Sequence, residues 1–514
     1  MEATIEDYRQ LISATRQRDS TVSEKRSIDQ ESESDRGRVI FSSPLRRLQQ
    51  KAQVYSLEDN AAVRSRLTHS LEVAQTGRWI GQLILSQLKK RDQKRLALDD
   101  RNIAFLNFIE TSCLIHDLGN PPFGHLGEFS IQEWFKKNSI ECLISACNAM
   151  FEANGLKEEN LRATNSQFDI GIKDFTNFDG NCQGLRIVCR LQWKSDEHGL
   201  NLTYSQLLSY LKYVVHAHGA TGKDGAKKKG GYFLSEESIV LRAWQILGME
   251  PHTRHPLAYI MEAADDIAYS ISDIEDAIEK GLIRLEDFLQ YIESKTVDLK
   301  SRKKNATAIR KSITTARKQS VAPDCLCTYT DLRTSLTRIL TRFAADKFVE
   351  NHSGLLNGTA PSIFDENDRD SCLESSLIFA IKSFALSKIY PSPAASNNEL
   401  AGYAVLHGLL DHHHPLLSCR RETFEKLCSP GVELTDKAFK PNKLQQRLFD
   451  RLPGKYRRNY LEEVQPLPKD TTEGAIQEWF CRAHLITDYI SGMTDDFALE
   501  TFQLLSGIQV GKPI

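Results

Sequence analysis

A mainly α-helical fold is predicted by three features of this 514-residue chain. Long stretches repeat apolar residues every three or four positions, the period of a helix with one buried face. Strand signals are few, and no internal repeat or long low-complexity tract interrupts the pattern. Hydrophobic residues make up 40% of the chain, which is enough for a sizeable core. The length alone corresponds to roughly two to four domains.

Taken in order, residues 1–35 are polar and charged and are expected to form an arm, mobile or ordered by a partner. Residues 61–90, "AAVRSRLTHSLEVAQTGRWIGQLILSQLKK", read as an amphipathic helix. Residues 102–119 read as a more buried helix that stops at Gly119. Asn120-Pro121-Pro122 must break that helix, because proline cannot continue it. A new helix restarts at about Gly124, which places His125 and Glu128 on one face of its first turn. "LRIVCRLQW" (185–193) is ambiguous between strand and helix, and a short hairpin is an option near "KGGYFLSEE". Residues 255–281 read as a long helix ended by Gly281. Helical patterning returns in about the last two hundred residues. Residues 282–400 are the least legible part.

Composition excludes several classes. The net charge is −2, so no global basic field advertises nucleic-acid binding. Eleven cysteines are scattered without a C-x-x-C pair, and Cys325 and Cys327 are too close for a zinc knuckle; a reduced, cytoplasmic chain is expected. The N-terminus carries no apolar signal-peptide core, and the longest apolar runs fall far short of a membrane span.

Three predicted helices each carry ionisable residues that spoil an apolar pattern: His69 in "RLTHSLEV", His116-Asp117 closing "SCLIHD", and Asp265-Asp266 in "MEAADDIAYSI". Buried imidazoles and carboxylates cost free energy unless they are paired or bind metal. Singly, each has a plainer reading: a satisfied core histidine, a turn aspartate, a solvated helix face. Together they make a mixed nitrogen and oxygen set suited to a divalent cation such as Mn²⁺, Fe²⁺ or Mg²⁺, and the absence of thiolate argues against structural zinc. Asp265, Tyr269 and Asp273 fall at i, i+4 and i+8 on one helix face, which favours Asp265 over Asp266 as the ligand. Ile267, Ile271, Ile274 and Ile278 fall elsewhere and are free to pack.

The order H…HD…D resembles the HD superfamily of metal-dependent phosphohydrolases. "RLTHSLEV", "HDLGNPPFGHLGE", "FDGNCQGLRI", "MEAADDIAYSISDIEDAIEKG" and "LITDYISGMTDDFA" together resemble its deoxyguanosine triphosphate triphosphohydrolase branch, in the long enterobacterial form, from about Asp35 to about Phe497. The resemblance implies an HD-type helical core over 36–290, its motifs spanning about 66–274, and a helical C-terminal region, 291–514, that packs on the core and contributes to assembly. It implies hydrolysis of dGTP to deoxyguanosine and inorganic triphosphate in control of the dNTP pool, with Mg²⁺ or Mn²⁺ held by His69, His116, Asp117 and Asp265. Residues matching His125 and Glu128 serve catalysis in the family; the alternatives are a further metal ligand and a helix-start residue. Tyr269 and Asp273 match residues that touch the deoxyribose, and Gln53 one beside the sugar and base. Arg66, one turn before His69, and Asn181, Lys212 and Lys229 resemble phosphate-side residues, although the run Lys227-Lys228-Lys229 also reads as a solvated loop. Arg447 matches an arginine that reaches a site from elsewhere in an assembly. A homohexamer and single-stranded DNA as a regulator are further implications, the latter with basic stretches at 302–318 and 223–231. Rival readings are a broad dNTP triphosphohydrolase, a 5′-nucleotidase, a phosphodiesterase, and a nucleotide- or single-stranded-DNA-binding regulator with a silent site.

Overall fold

The computed structural model describes residues 5–20, 24–58, 60–153, 166–192, 197–222, 225–296, 303–319, 325–369, 371–428 and 440–508. Fourteen helices frame the argument: α1 (Ile28–Ile40), α2 (Arg66–Gln87), α3 (Asn102–Ile115), α4 (Gly124–Ala153), α5 (Gly180–Arg186), α6 (Tyr204–Tyr210), α7 (Pro256–Glu279), α8 (Cys325–Glu350), α9 (Leu373–Lys388), α10 (Pro393–Leu417), α11 (Lys443–Asp450), α12 (Gly454–Val464), α13 (Thr472–Ser491) and α14 (Asp495–Leu505). Further helices, among them Glu237–Ile246, Leu285–Thr296 and Lys303–Gln319, and shorter helical turns complete the described chain. Among the described residues the β-structure amounts to isolated bridges, Arg16 with Thr203, Ala52 with Ser65 and His216 with Tyr232. The option of a hairpin near "KGGYFLSEE" is therefore not realised: Tyr232 makes a single parallel bridge and short 3₁₀ turns flank it. "LRIVCRLQ" is helical, α5 running on into a π turn over Ile187–Leu191, while Trp193 lies outside the described residues.

The centre of the fold is α2, α3 and α7, packed on one another, with α1 laid against α3, α8 against α2 and α7, and α9 against α7. Close approach of α2 to α3 uses small residues. A Cβ on Gly77 would sit 2.5 Å from Cys113 Sγ, and one on Gly81 2.9 Å from Ile109 and Leu106. Helix α2 starts later than the periodicity implied, at a capping box in which Ser65 and Thr68 satisfy each other's amides. Ile267, Ile271, Ile274 and Ile278 are all buried, so α7 has a fully engaged apolar face as well as its polar one.

The described part of the N-terminal segment differs from a free arm. Tyr8, Leu11 and Ile12 are buried in the core. Arg16 is buried too, and its guanidinium pairs with Glu31 and Asp35 of α1. Apolar side chains too sparse to register as periodicity, plus one internally neutralised charge cluster, anchor a segment whose composition is polar.

The chain's second half grips the first. Helix α10 packs along α4, α13 packs on α4, and α14 on α10. Arg186, at the end of α5, is fully buried and donates to Asp488 of α13, Glu236, and Glu463 of α12.

Two buried histidines set an acid limit on stability. His255 caps α7, accepting at Nδ1 from Leu257 N and donating at Nε2 to Leu11 O; His413 in α10 donates at Nδ1 to Leu409 O. Burial pushes both down to about 4. A folded-state value below the unfolded one means stability is fully present above about pH 6.5 and lost as pH falls toward 4, roughly 3 kcal/mol per histidine. The expected result is that His413→Gln takes up about one proton fewer on unfolding between pH 6.5 and 4 than the wild type, read from the slope of unfolding free energy against pH. An unchanged slope would show that His413 does not titrate this way.

Candidate functional site

The helix α3 ends where the sequence places His116 and Asp117. A Cβ on Gly119 would come within 2.1 Å of Gly180 O and Gly184 N, so this glycine lets the turn lie directly on the first turn of α5. Phe123 and Gly124 both take positive φ, 60° and 59°, as the chain doubles back into α4. Non-glycine residues rarely hold that conformation. The C-terminal region holds it here: Asp495 accepts from Phe123 N at one oxygen and from Ala52 N at the other. Lys51, buried, donates to Asn120 O and to Ser491 O. The turn is thus pinned by α14 and the end of α13.

Four side chains meet between α2, α3 and α7. His69, His116 and Asp117 offer ligand atoms that all lie within 4.8 Å of one another. Asp265 Oδ1 lies 3.4 Å from His69 Nε2 and 3.5 Å from His116 Nε2. His116 donates from Nδ1 to Cys113 O at 2.7 Å, which leaves Nε2 as the free acceptor, buried and without a hydrogen bond. Such an outer hydrogen bond fixes the tautomer a metal ligand needs. Burial would raise Asp265, but His116, the hydrogen bond to His69 and Lys212 hold it well below the usual carboxylate range. Asp117 is likewise opposed by burial and held at about 2 by His116 and Arg66. Both carboxylates are therefore anionic at neutral pH. Two imidazoles and two carboxylates, with His116 Nε2 aimed at them, buried and unsatisfied, fit a divalent cation. Asp266 turns away and pairs with Lys382 at 2.6 Å.

This cluster opens into a cavity of about 460 Å³, lined by Gln53, Arg66, His125, Asn181, Lys212, Lys229 and Tyr269 among others. His125 Nδ1 is 2.9 Å from Glu128 Oε2; the imidazole is largely exposed, while the carboxylate is buried and also accepts from Gly180 N at 2.8 Å. The hydrogen bond and charge of Glu128 raise His125 above its ordinary value. Burial would raise Glu128, but His125, Lys229 and the Gly180 amide keep it below its ordinary value. The result is an imidazole presented to the cavity by an anchored carboxylate that favours its protonated form.

The cations are already partnered. Arg66 Nη1 lies 2.6 Å from Asp117, Lys229 Nζ 2.9 Å from Asp179, and Lys212 Nζ 3.5 Å from Asp265. Asp179 also accepts from the amide and side chain of Asn181. Gln53 Oε1 is buried without a partner. Asp273 sits one turn beyond Tyr269 and is buried rather than cavity-lining; burial pushes it up to about 7. Arg447 is exposed on α11 and does not line the cavity, so this chain alone does not bring it to the site. Sequence reasoning passed over Lys382, Tyr390 and Glu399, which line the cavity from α9, the turn after it and α10. Lys382, Leu386 and Tyr390 do recur every four residues. That signal was available, but nothing in the sequence says such a stripe faces α7.

An all-helical bundle with a His, His-Asp and Asp cluster at its centre, opening on a cation-lined cavity, defines an HD-type phosphohydrolase. Residues 439–504, which include α11 to α13 and all but the last residue of α14, match the phosphohydrolase-associated domain family. The chain is 35% identical over 490 residues to the probable deoxyguanosinetriphosphate triphosphohydrolase of Pseudomonas aeruginosa, covering 93% of each chain. It is 36% identical over 503 residues to the deoxyguanosinetriphosphate triphosphohydrolase of Salmonella typhimurium and 35% identical over 500 to that of Klebsiella pneumoniae subsp. pneumoniae, in each case across 93% of this chain and 94% of the relative. The chain belongs to the deoxyguanosinetriphosphate triphosphohydrolase family. Among the described residues no helix is long and apolar enough to cross a membrane.

Proposed function

We propose that this protein hydrolyses dGTP to deoxyguanosine and inorganic triphosphate, as a cytoplasmic enzyme of dNTP pool control. The observation that carries the reading is the cluster of buried His69 and His116 with the half-buried Asp117 and Asp265, beside the Glu128-anchored His125. Those four side chains would hold the cation, Mg²⁺ or Mn²⁺. When bound, it supplies stabilisation of charge on the α-phosphoryl group and activation of the attacking water.

The chain's own residues do the rest. His125, whose protonated form Glu128 favours, gives its proton to the departing 5′-oxygen of the nucleoside, a poor leaving group without it. Glu128 holds the ring in line and stabilises its charged form. Arg66, Lys212 and Lys229 exchange their carboxylate partners for phosphate oxygens, and Asn181 adds a donor. Tyr269 lies against the sugar where a 2′-hydroxyl would clash, Asp273 takes the 3′-hydroxyl, and Gln53 lies beside sugar and base. Arg447 would serve a neighbouring subunit's site in a homohexamer. Single-stranded DNA binding would draw on the basic helix Lys303–Gln319.

The test is incubation with each dNTP and with GTP, in Mg²⁺ or Mn²⁺, followed by anion-exchange separation of products. Deoxyguanosine and intact triphosphate from dGTP alone are expected. Equal turnover of all four dNTPs would remove the guanine assignment, and monophosphate with pyrophosphate would overturn the role of His125 toward the leaving group.

A further inference from the structure

Tyr390 follows α9 in a turn closed by its own amide donating to Ala385 O at 3.1 Å. Its ring lies 6.4 Å from that of Tyr269, and Tyr269 in turn stands edge-on to the imidazole of His69, also at 6.4 Å. The Tyr390 hydroxyl is 2.6 Å from Asp273 Oδ2 and hydrogen-bonded to the Tyr269 hydroxyl. A phenol has one hydrogen to give. The Tyr390 hydroxyl therefore bridges two groups, giving its hydrogen to one of Asp273 and Tyr269 and accepting from the other. The three side chains form one continuous chain of hydrogen bonds, Tyr269, Tyr390 and Asp273, with Tyr390 at its centre. Asp273 Oδ1 remains buried without a partner, although the Tyr269 and Tyr390 rings both reach the cavity.

We infer that Tyr390 is a positioning residue for sugar selectivity: its hydroxyl fixes the tilt of the Tyr269 ring and the orientation of the Asp273 carboxylate, so that the pocket is shaped against a ribonucleotide before substrate arrives. The inference rests on the proposed dGTP hydrolysis and on the placement of Tyr269 against the sugar. It assigns to residue 390 a part in choosing deoxyribose over ribose that is separate from metal binding and proton transfer. Tyr269 without its partner keeps a ring of the same size, but one free to swing away from the 2′ position. Selectivity, rather than turnover of the preferred substrate, is the quantity that suffers.

The experiment compares kcat/KM for dGTP and GTP in the wild type, Tyr390→Phe, Tyr269→Phe and the double variant. Phenylalanine keeps the ring and its packing, so the fold is preserved, and thermal unfolding of each variant checks this. The ratio of dGTP to GTP is expected to fall about five- to tenfold in Tyr390→Phe, a typical worth of one such hydrogen bond. It should fall by a similar factor in Tyr269→Phe, and no further in the double variant, because one chain of bonds is being cut twice. An unchanged ratio in Tyr390→Phe, including equal losses on both substrates, would overturn the inference, as would losses that multiply in the double variant. A wild type that does not hydrolyse dGTP would instead overturn the functional reading on which it rests.

Discussion

Replacing His125 by alanine is expected to lower turnover about 10²- to 10⁴-fold, the range of a lost general acid, while metal content and KM stay near wild type. The reason lies in the separation of tasks within the site. The candidate metal-ligand set comes from α2, the end of α3 and α7, whereas His125 stands on the first turn of α4 and touches Glu128, not that set. Truncating an exposed imidazole leaves the ligand set and the cation-lined walls in place. Steady-state kinetics on dGTP with metal analysis of the purified variant checks both halves of the statement. Near-normal turnover would exclude His125 as the proton donor, and loss of metal would make it a ligand instead. The pH profile adds a second reading. A general acid must be protonated, so activity falls as pH rises through its pKa. Glu128 raises that pKa. Glu128→Gln should therefore move the alkaline limb of the profile to lower pH; no movement would show that Glu128 does not tune His125.

The second large effect concerns the fold. Arg186→Met should cost about 3–5 kcal/mol of stability, as removal of one partner from a buried ion pair does. Arg186 is fully buried and holds Asp488 and Glu236, themselves buried, together with the nearly buried Glu463. Arg190, 3.3 Å from Glu236, would be left as the nearby cation for three carboxylates. Burial already pushes Asp488 and Glu236 above their ordinary values despite Arg186. Without it they either take up protons or draw in water, and the contact between α5 and the C-terminal helices loosens. Denaturant unfolding followed by circular dichroism measures the change, and a loss below about 1 kcal/mol would mean the cluster relaxes without consequence. Because Gln183 of α5 also donates to Asp488, and α5 bears against Gly119, the same variant should weaken the seat of the His116-Asp117 turn.

The helical class, the breaks at Pro121-Pro122 and Gly281, and the residues that spoil apolar faces were legible in the chain, because helix periodicity and proline geometry are local. So were the types of chemistry available at positions 69, 116, 117, 125, 128 and 265: a short motif lists its donors. The anchoring of the N-terminal segment was not legible, because Tyr8, Leu11, Ile12 and the Arg16 pairings act across long sequence separations and leave no period. The wall built by Lys382 and Tyr390 was hidden for the same reason. A four-residue spacing shows that side chains share a helix face, but which neighbour that face meets depends on the packing of α9 on α7. The paired state of every cavity lysine, the depth of Asp273 and the hydroxyl chain through Tyr390 belong to the tertiary structure alone. Hydrogen bonds and desolvation are decided by distances between elements, and a sequence carries no distances. What the sequence by itself determined was which groups could do the chemistry; folding decided which of them meet, which are buried, and which hydrogen bonds hold them before a substrate enters.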